Sequence, residues 1–313
     1  MSEESIVPVF IPPLASLMAA AEAKLNRPLT PDEAEGIRDG AVCMMMQEQD
    51  AQAMHASRGY RDVEPEDIWA DWHRLRVQMT GDGFRPKLIW CLVGGEDFVE
   101  KVQPLLEAET VEHEWVGANP RMLPSFLASE FRLQPSLTEE DKRAIESHAH
   151  VLYLPSPNFD AGQAVALSAR YLSLVARLLQ EGGASGAKCE SSGIAHGKAR
   201  WLEFAAAGSL IGSYVQLPIG DSDALWTCGM HLLGRTDIII GRDVFGGDEW
   251  EAARHLEIFA TYLAEECPHF ASGHTFSCNP DSPRLRATWE PCDRYDEDEF
   301  FHNPYGRLRL APA

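Results

Sequence analysis

The chain has 313 residues, 45% of them hydrophobic and 24% charged, which is the balance of a soluble globular protein with room for one large domain or two ordinary ones. Forty-eight acidic residues against 27 basic ones leave a formal net charge of −21. A field of that sign repels phosphate backbones and anionic membranes, so the expected partner is a protein with a basic surface, with no nucleic acid and no membrane.

The first 25 residues, MSEESIVPVFIPPLASLMAAAEAKL, have no basic start, and three prolines break their apolar part, unlike a secretory signal. No stretch reaches the roughly 18 unbroken apolar residues that a membrane span requires. The seven cysteines are odd in number and scattered, several in apolar runs such as LIWCLV and AVCMMM. That usage fits reduced thiols, and the expected setting is a bacterial cytoplasm.

Residues 1–82 read as a mainly helical region. In LTPDEAEGIRDGAVCMMM, Thr30 stands as an N-cap, Pro31 takes the first helical position, and acids fill the first turn. Ile37, Ala41 and Met45 follow at helical spacing, although the methionine run also suits a short buried strand. Met44, Met45 and Met46 are expected in the core on either account. VEPEDIWADWHRLRVQM predicts a second helix with Ile68, Trp72 and Leu75 on one face and Trp69 beside it. The glycines of TGDGFRP then break the pattern and mark a boundary.

Residues 83–313 alternate strand and helix. KLIWCLVGG is a buried strand, EDFVEKVQPLLEAE a helix, TVEHEWV a strand, SLTEEDKRAIESH a capped helix, and AHVLYLPS a buried strand. DAGQAVALSARYLSLVARLLQEGG is a long amphipathic helix closed by Gly182 and Gly183. ASGAKCESS reads as a strand and GKARWLEFAAAG as a helix ended by Gly208. SYVQLPIG, LWTCGMHLLG and TDIIIG are three strand-like runs without helices between them, so they pair antiparallel. A last long helix, DEWEAARHLEIFATYLAEEC, precedes strands in GHTFSC and RLRATWEP. The aromatic and acidic tail DRYDEDEFFHNPYGRLRLAPA is expected to pack as an extended strap, with DEDEFF as a solvated surface. The fold class is α+β: a mixed, largely antiparallel sheet packed with helices, after a mainly helical N-terminal region.

Residues from about 148 to 291 carry a resemblance. The order is HAHVLYL, the helix AVALSARYLSLVARLL, the turn SSGIAH, the helix ARWLEFA, the strand YVQLP and then CGMHLLGRTDI. This is similar to the bacterial family called domain of unknown function 4261. Gly229-Met230 and Leu233-Gly234-Arg235, followed by Asp237, are the most telling positions. The family brings no established activity, and its pattern does not fix Cys228 or His231.

The segment CESSGIAHGKARW, 189–201, concentrates reactive side chains. Ser192 and His196, with Glu190 as the nearest acid, are candidates for a hydrolase pair. Against that, the serines are followed by Gly193 but not preceded by a glycine, unlike a G-x-S-x-G elbow. Ser191 and Ser192 are better explained as caps of a helix starting near Ala195. Cys189, His196, Cys228 and His231 are candidate zinc ligands, but Cys228 and His231 on one strand would point to opposite faces. Cys267, His269, His274 and Cys278 form a second set without a zinc-site spacing, and His148 and His150 share one strand face. VGGEDF and EGGASGAK match no phosphate-binding loop. Arg235, Arg242, Arg284 and Arg286 are too dispersed for an anion site. No cofactor is expected, with zinc as the alternative. The favoured function is a non-enzymatic protein–protein interaction module, an adaptor or an immunity-type binder. The alternative is a hydrolase or metal-dependent enzyme centred on the Ser192–His196 turn.

Overall fold

The structure is a computed structural model of the full chain. It describes residues 6–313 apart from 26, 28, 59–61, 70, 73–74, 77–84, 129, 131–134, 221–222, 267–269, 271, 281 and 297–298. The chain divides into two compact units, Met1–Phe84 and Arg85–Ala313. That division falls close to the expected one at 82. The glycine stretch expected to carry it, 80–86, lies mostly outside the described residues.

The first unit contains β1 (Ile6–Phe10), α1 (Leu14–Leu25), α2 (Pro31–Gly40), β2 (Cys43–Gln47) and α3 (Glu48–Arg58). Thr30 caps α2 through a full capping box with Glu33, as its sequence predicts. Phe10, Leu14, Met18, Ile68, Trp72 and Leu75 form the core. Glu22 is buried within it, and its carboxylate accepts hydrogen bonds from Leu29 N, Trp72 Nε1 and Arg76 Nε. The methionine run corrects one expectation. Residues 43–47 are a strand paired antiparallel with β1, and Met44 and Met45 are 50% and 65% exposed rather than core. Successive strand residues point to opposite faces, so Met44 and Met45 lie on the two sides of this two-stranded ribbon, and neither side chain is covered.

The second unit begins with β3 (Ile89–Gly94), α4 (Phe98–Glu109), β4 (Glu114–Gly117), α5 (Met122–Leu127), α6 (Glu139–Glu146), β5 (His150–Pro155), α7 (Ala161–Gln180), β6 (Ala184–Cys189) and β7 (Ile194–Gly197). Its first sheet is antiparallel throughout, in the order β4-β5-β3-β6-β7. Each long helix therefore links two parallel strands with a third between them, the split βαβ arrangement. Both faces of β3 are buried, which is why IWCLVG reads as a continuous apolar run. Cys91 and Val93 meet Met122, Phe126 and Ile145 from α5 and α6. Trp90, on the other face, packs edge-on against Trp201 at 4.8 Å and Tyr214 at 5.7 Å.

The chain continues through α8 (Lys198–Ala207), α9 (Leu210–Tyr214), β8 (Gln216–Gly220), β9 (Ala224–Cys228), β10 (Asp237–Gly241), α10 (Glu249–Glu265), β11 (Thr275–Phe276), β12 (Leu285–Glu290) and β13 (Arg307–Pro312). The second sheet has the order β11-β12-β13-β10-β9-β8. Only the pairing of β10 with β13 is parallel. The fold class is thus the expected α+β with a mixed, largely antiparallel sheet, here divided into separate sheets.

The tail departs from a simple strap. Residues 307–312 form β13, an interior strand between β12 and β10. The segment before it covers part of the sheet: Tyr295 and Phe301 pack on Trp226, Cys228 and Ile239. Tyr305 is buried, whereas Phe300 is exposed. LWTCGMHLLG also differs from expectation. Its strand stops at Cys228, and residues 230–233 form a 3-10 turn between Gly229 and Gly234. Gly229 has φ +114°, and an added Cβ there would run into the Tyr214 carbonyl oxygen. That backbone is open to glycine and closed to a strand residue.

Candidate binding cleft

The segment 189–201 is a hairpin followed by a helix. β6 ends at Cys189, and Gly193 closes a tight turn by donating its N–H to the Cys189 carbonyl at 2.8 Å. β7 then runs back along β6, pairing Ile194 with Cys189 and His196 with Ala187. The helix starts at Lys198 with Gly197 as its cap. The expectation that Ser191 and Ser192 cap a helix from Ala195 is therefore wrong, because 194–197 gains more from sheet pairing than from an early helical turn. Ser191 instead ties the sheet edge together. Its hydroxyl donates to the Lys87 carbonyl at 2.6 Å and accepts from Ile89 N at 2.9 Å.

His196 is placed by register. Opposite residues of paired strands share a face, so His196 lies on the same side as Ala187 and Trp90. Trp201 fixes that corner by donating Nε1–H to the carbonyls of Ala187 at 2.8 Å and His196 at 3.1 Å. The imidazole stands edge-on to Trp201 at 5.5 Å and to Phe204 at 5.6 Å. Burial pushes its pKa down to about 4, the Arg200 guanidinium adds to the effect, and Asp141 opposes it. The ring is consequently neutral at pH 7.

His196 opens onto a cleft of about 600 Å³. Ile194, Phe204, Ile211 and Leu233 supply apolar surface, and α10 supplies Glu257, Thr261 and Glu265. Arg200 lines another part of it. The guanidinium lies 4.3 Å above the Phe204 ring and its Nη1 is paired with Glu203 at 2.8 Å, while Nε has no hydrogen-bond partner among the described residues. Gln216 reaches back to the hairpin, donating Nε2–H to the Ser192 carbonyl. Its Oε1 is buried without a described partner. The Glu257–Thr261–Glu265 spacing of four residues was readable in the sequence as one helix face. Nothing local marks Arg200 or Gln216, because only the tertiary fold brings them to the cleft.

The remaining sequence candidates do not assemble. Ser192 is fully buried with its hydroxyl beside the Cys189 thiol, and it makes no hydrogen bond to His196. Glu190 pairs with Lys188 at 2.7 Å instead of orienting an imidazole. The geometry thus supplies no Ser–His–Glu relay. Burial pushes the Cys189 thiol up to about 11. Cys228 ends β9, and His231 lies in the 3-10 turn, where burial pushes its pKa down to about 3. Among the described residues no group of three or more His, Cys, Asp or Glu side chains is arranged to hold a metal ion. Cys189, His196, Cys228 and His231 therefore do not converge as ligands. Cys267 and His269 lie outside the described residues. His148 has both ring nitrogens engaged, Nδ1 with the Ile145 carbonyl at 2.6 Å and Nε2 with Asn119 N at 3.0 Å.

The positions that carry the family resemblance are structural. Gly229 and Gly234 both have positive φ and both press against backbone, at Tyr214 and Ala161. Arg235 donates Nε–H to the Leu263 carbonyl at 2.8 Å. Asp237 accepts from Thr227 Oγ1 and Asn303 Nδ2, each at 2.8 Å. Compared with known proteins, the chain matches no family model, no curated protein and no solved structure.

Proposed function

We propose that this protein acts by binding another protein, as an adaptor or immunity-type module, and that the His196 cleft receives a partner segment carrying apolar and basic side chains. The observation that carries this reading is the α10 wall, where Glu257, Thr261 and Glu265 face the cleft beside apolar surface. Arg200 contributes little opposing charge, because Glu203 pairs with it, and the neutral His196 contributes none at pH 7. A net charge of −21 would also speed encounter with a cationic partner. A cytoplasmic setting is part of the proposal, supported by free thiols at Cys91 and Cys189. No helix among the described residues is long and apolar enough to cross a membrane. Membership of domain of unknown function 4261 is likewise proposed, on the Gly229–Asp237 segment.

The test is selection of displayed peptides against the full chain. Enriched peptides should combine Lys or Arg with an apolar residue. Their affinity should fall about tenfold when salt rises from about 50 mM to about 500 mM, and by a similar factor in the double variant Glu257→Lys, Glu265→Lys. Peptides without basic residues, or equal binding to the double variant, would overturn the reading.

A further inference from the structure

The two-stranded ribbon of the first unit carries a surface unlike the rest of this acidic chain. Among the described residues its strands pair only with each other, so each has one edge without a strand neighbour. The two edges differ. β1 carries Pro8 at its centre, which has no N–H to offer a further strand. β2 is CMMMQ, with no proline, no charge and no bulge in its pairing, so it lacks the devices that usually protect an edge.

Exposure is concentrated along that strand. Val42, Met44 and Met45 are each at least half exposed, although Met44 and Met45 lie on opposite faces. On β1, by contrast, Val9 and Phe10 are buried. α3 follows β2 directly and packs against both strands without covering these methionines. A partner lying on one face of the ribbon would cover Met44 or Met45, but not both. A strand added along the β2 edge sets cross-strand neighbours beside both.

Charge decides whose strand fits. At a net charge of −21, two copies of the chain repel over most of their surfaces. Residues 5–21 and 40–47 contain no Asp, Glu, Lys or Arg, and these stretches hold both strands of the ribbon. A basic partner finds no acid there to pair with, whereas a second copy meets the one kind of surface on which that repulsion is absent. Two identical strands are also self-complementary in antiparallel pairing about a twofold axis. Centred on Met45, that register sets Met44 opposite Met46 and Cys43 opposite Gln47, so apolar side chains meet at the middle on both faces. The unbranched methionine side chain adapts readily to such contacts.

We propose that β2 is a self-association edge, through which two copies of this chain pair antiparallel about Met45 and join their ribbons into one four-stranded sheet. The strand order is then β1-β2-β2-β1, with the strands blunted by Pro8 outermost. A two-stranded ribbon is marginal by itself, so the pairing also stabilises it.

The test is sedimentation velocity of the reduced full chain from about 1 µM to about 100 µM. The mass should rise with concentration to that of two chains and stop there. Met45→Lys sets two like charges face to face at the axis and should raise the dissociation constant about tenfold or more. Its urea midpoint should stay that of the wild type, because Met45 is exposed. A single-chain mass throughout would overturn the proposal and leave the ribbon to residues 85–313 or to a different protein. A mass that climbs past two chains, or a dimer that Met45→Lys leaves intact, would overturn it as well. If Met45→Lys does not fold, disulfide crosslinking decides. Met45→Cys in a Cys43→Ser background should crosslink across the axis on mild oxidation. The native Cys43 thiols, roughly 13 Å apart along the strands in this register, should not. Absence of the first crosslink, or a crosslink through Cys43 in the wild-type dimer, would overturn the proposal.

Discussion

Ser191 and Ser192 are adjacent and buried, yet their hydroxyls have different surroundings. The Ser191 hydroxyl satisfies the Lys87 carbonyl and the Ile89 N–H at the edge of β3. Ser191→Ala would take this partner from both part-buried backbone groups, at a cost of about 1–3 kcal/mol. Ser192 Oγ satisfies no backbone group, so Ser192→Ala should change stability by less than about 1 kcal/mol. Urea unfolding midpoints of the two variants give the comparison. A neutral Ser191→Ala, or a more damaging Ser192→Ala, would contradict the assigned roles. The same measurement bears on the cleft, because Ser192 reaches it only through its carbonyl, which holds the Gln216 amide.

Among the elements, helix ends are where sequence and structure agree most closely. Thr138 caps α6 and Asp160 caps α7, each in a reciprocal box. Asp160 Oδ1 accepts from Gln163 N at 3.1 Å, and Gln163 Oε1 accepts from Asp160 N at 3.2 Å. Asp160→Ala should cost about 1 kcal/mol and Asp160→Asn much less, measured by urea unfolding; equal losses in both would deny the cap its role. Such signals are local, and so are the apolar runs of β3 and β5. What was not legible depends on distant partners. Residues 194–197 become a strand because β6 offers an edge, and 43–47 become one because β1 does. β13 was missed in a polar, aromatic tail although Arg307-Leu308-Arg309-Leu310 alternates, because the alternation is only four residues long and the strand finds its place only between β12 and β10. The cleft was hidden for the same reason. Glu257 and Glu265 could be read as one face of α10, but Gln216 and His196 reach them through two sheets and a helix.

At the scale of the molecule, acid should act on stability through buried titratable groups in residues 85–313. His196 and His231 are held neutral by burial, with pKa values pushed down to about 4 and about 3. Between those values and the ordinary pKa of about 6.5, the unfolded chain binds more protons than the folded one, so stability falls as pH falls. Asp237 acts the other way. Burial raises its pKa to about 6 despite its hydrogen bonds, so the folded chain binds the extra proton and stability rises as pH falls from about 6 to about 4. Loss of charge from a chain at −21 also relieves self-repulsion on acidification. These opposing effects make the wild-type curve alone a poor test of any one group. The difference between wild type and His196→Asn cancels the shared effects. That difference should shift against the wild type by up to about 3 kcal/mol between pH 6.5 and pH 4, and then level off. A difference independent of pH would mean that His196 titrates as it does in the unfolded chain, and the ring would then become charged below about pH 6.5, where the cleft should lose affinity for a basic partner.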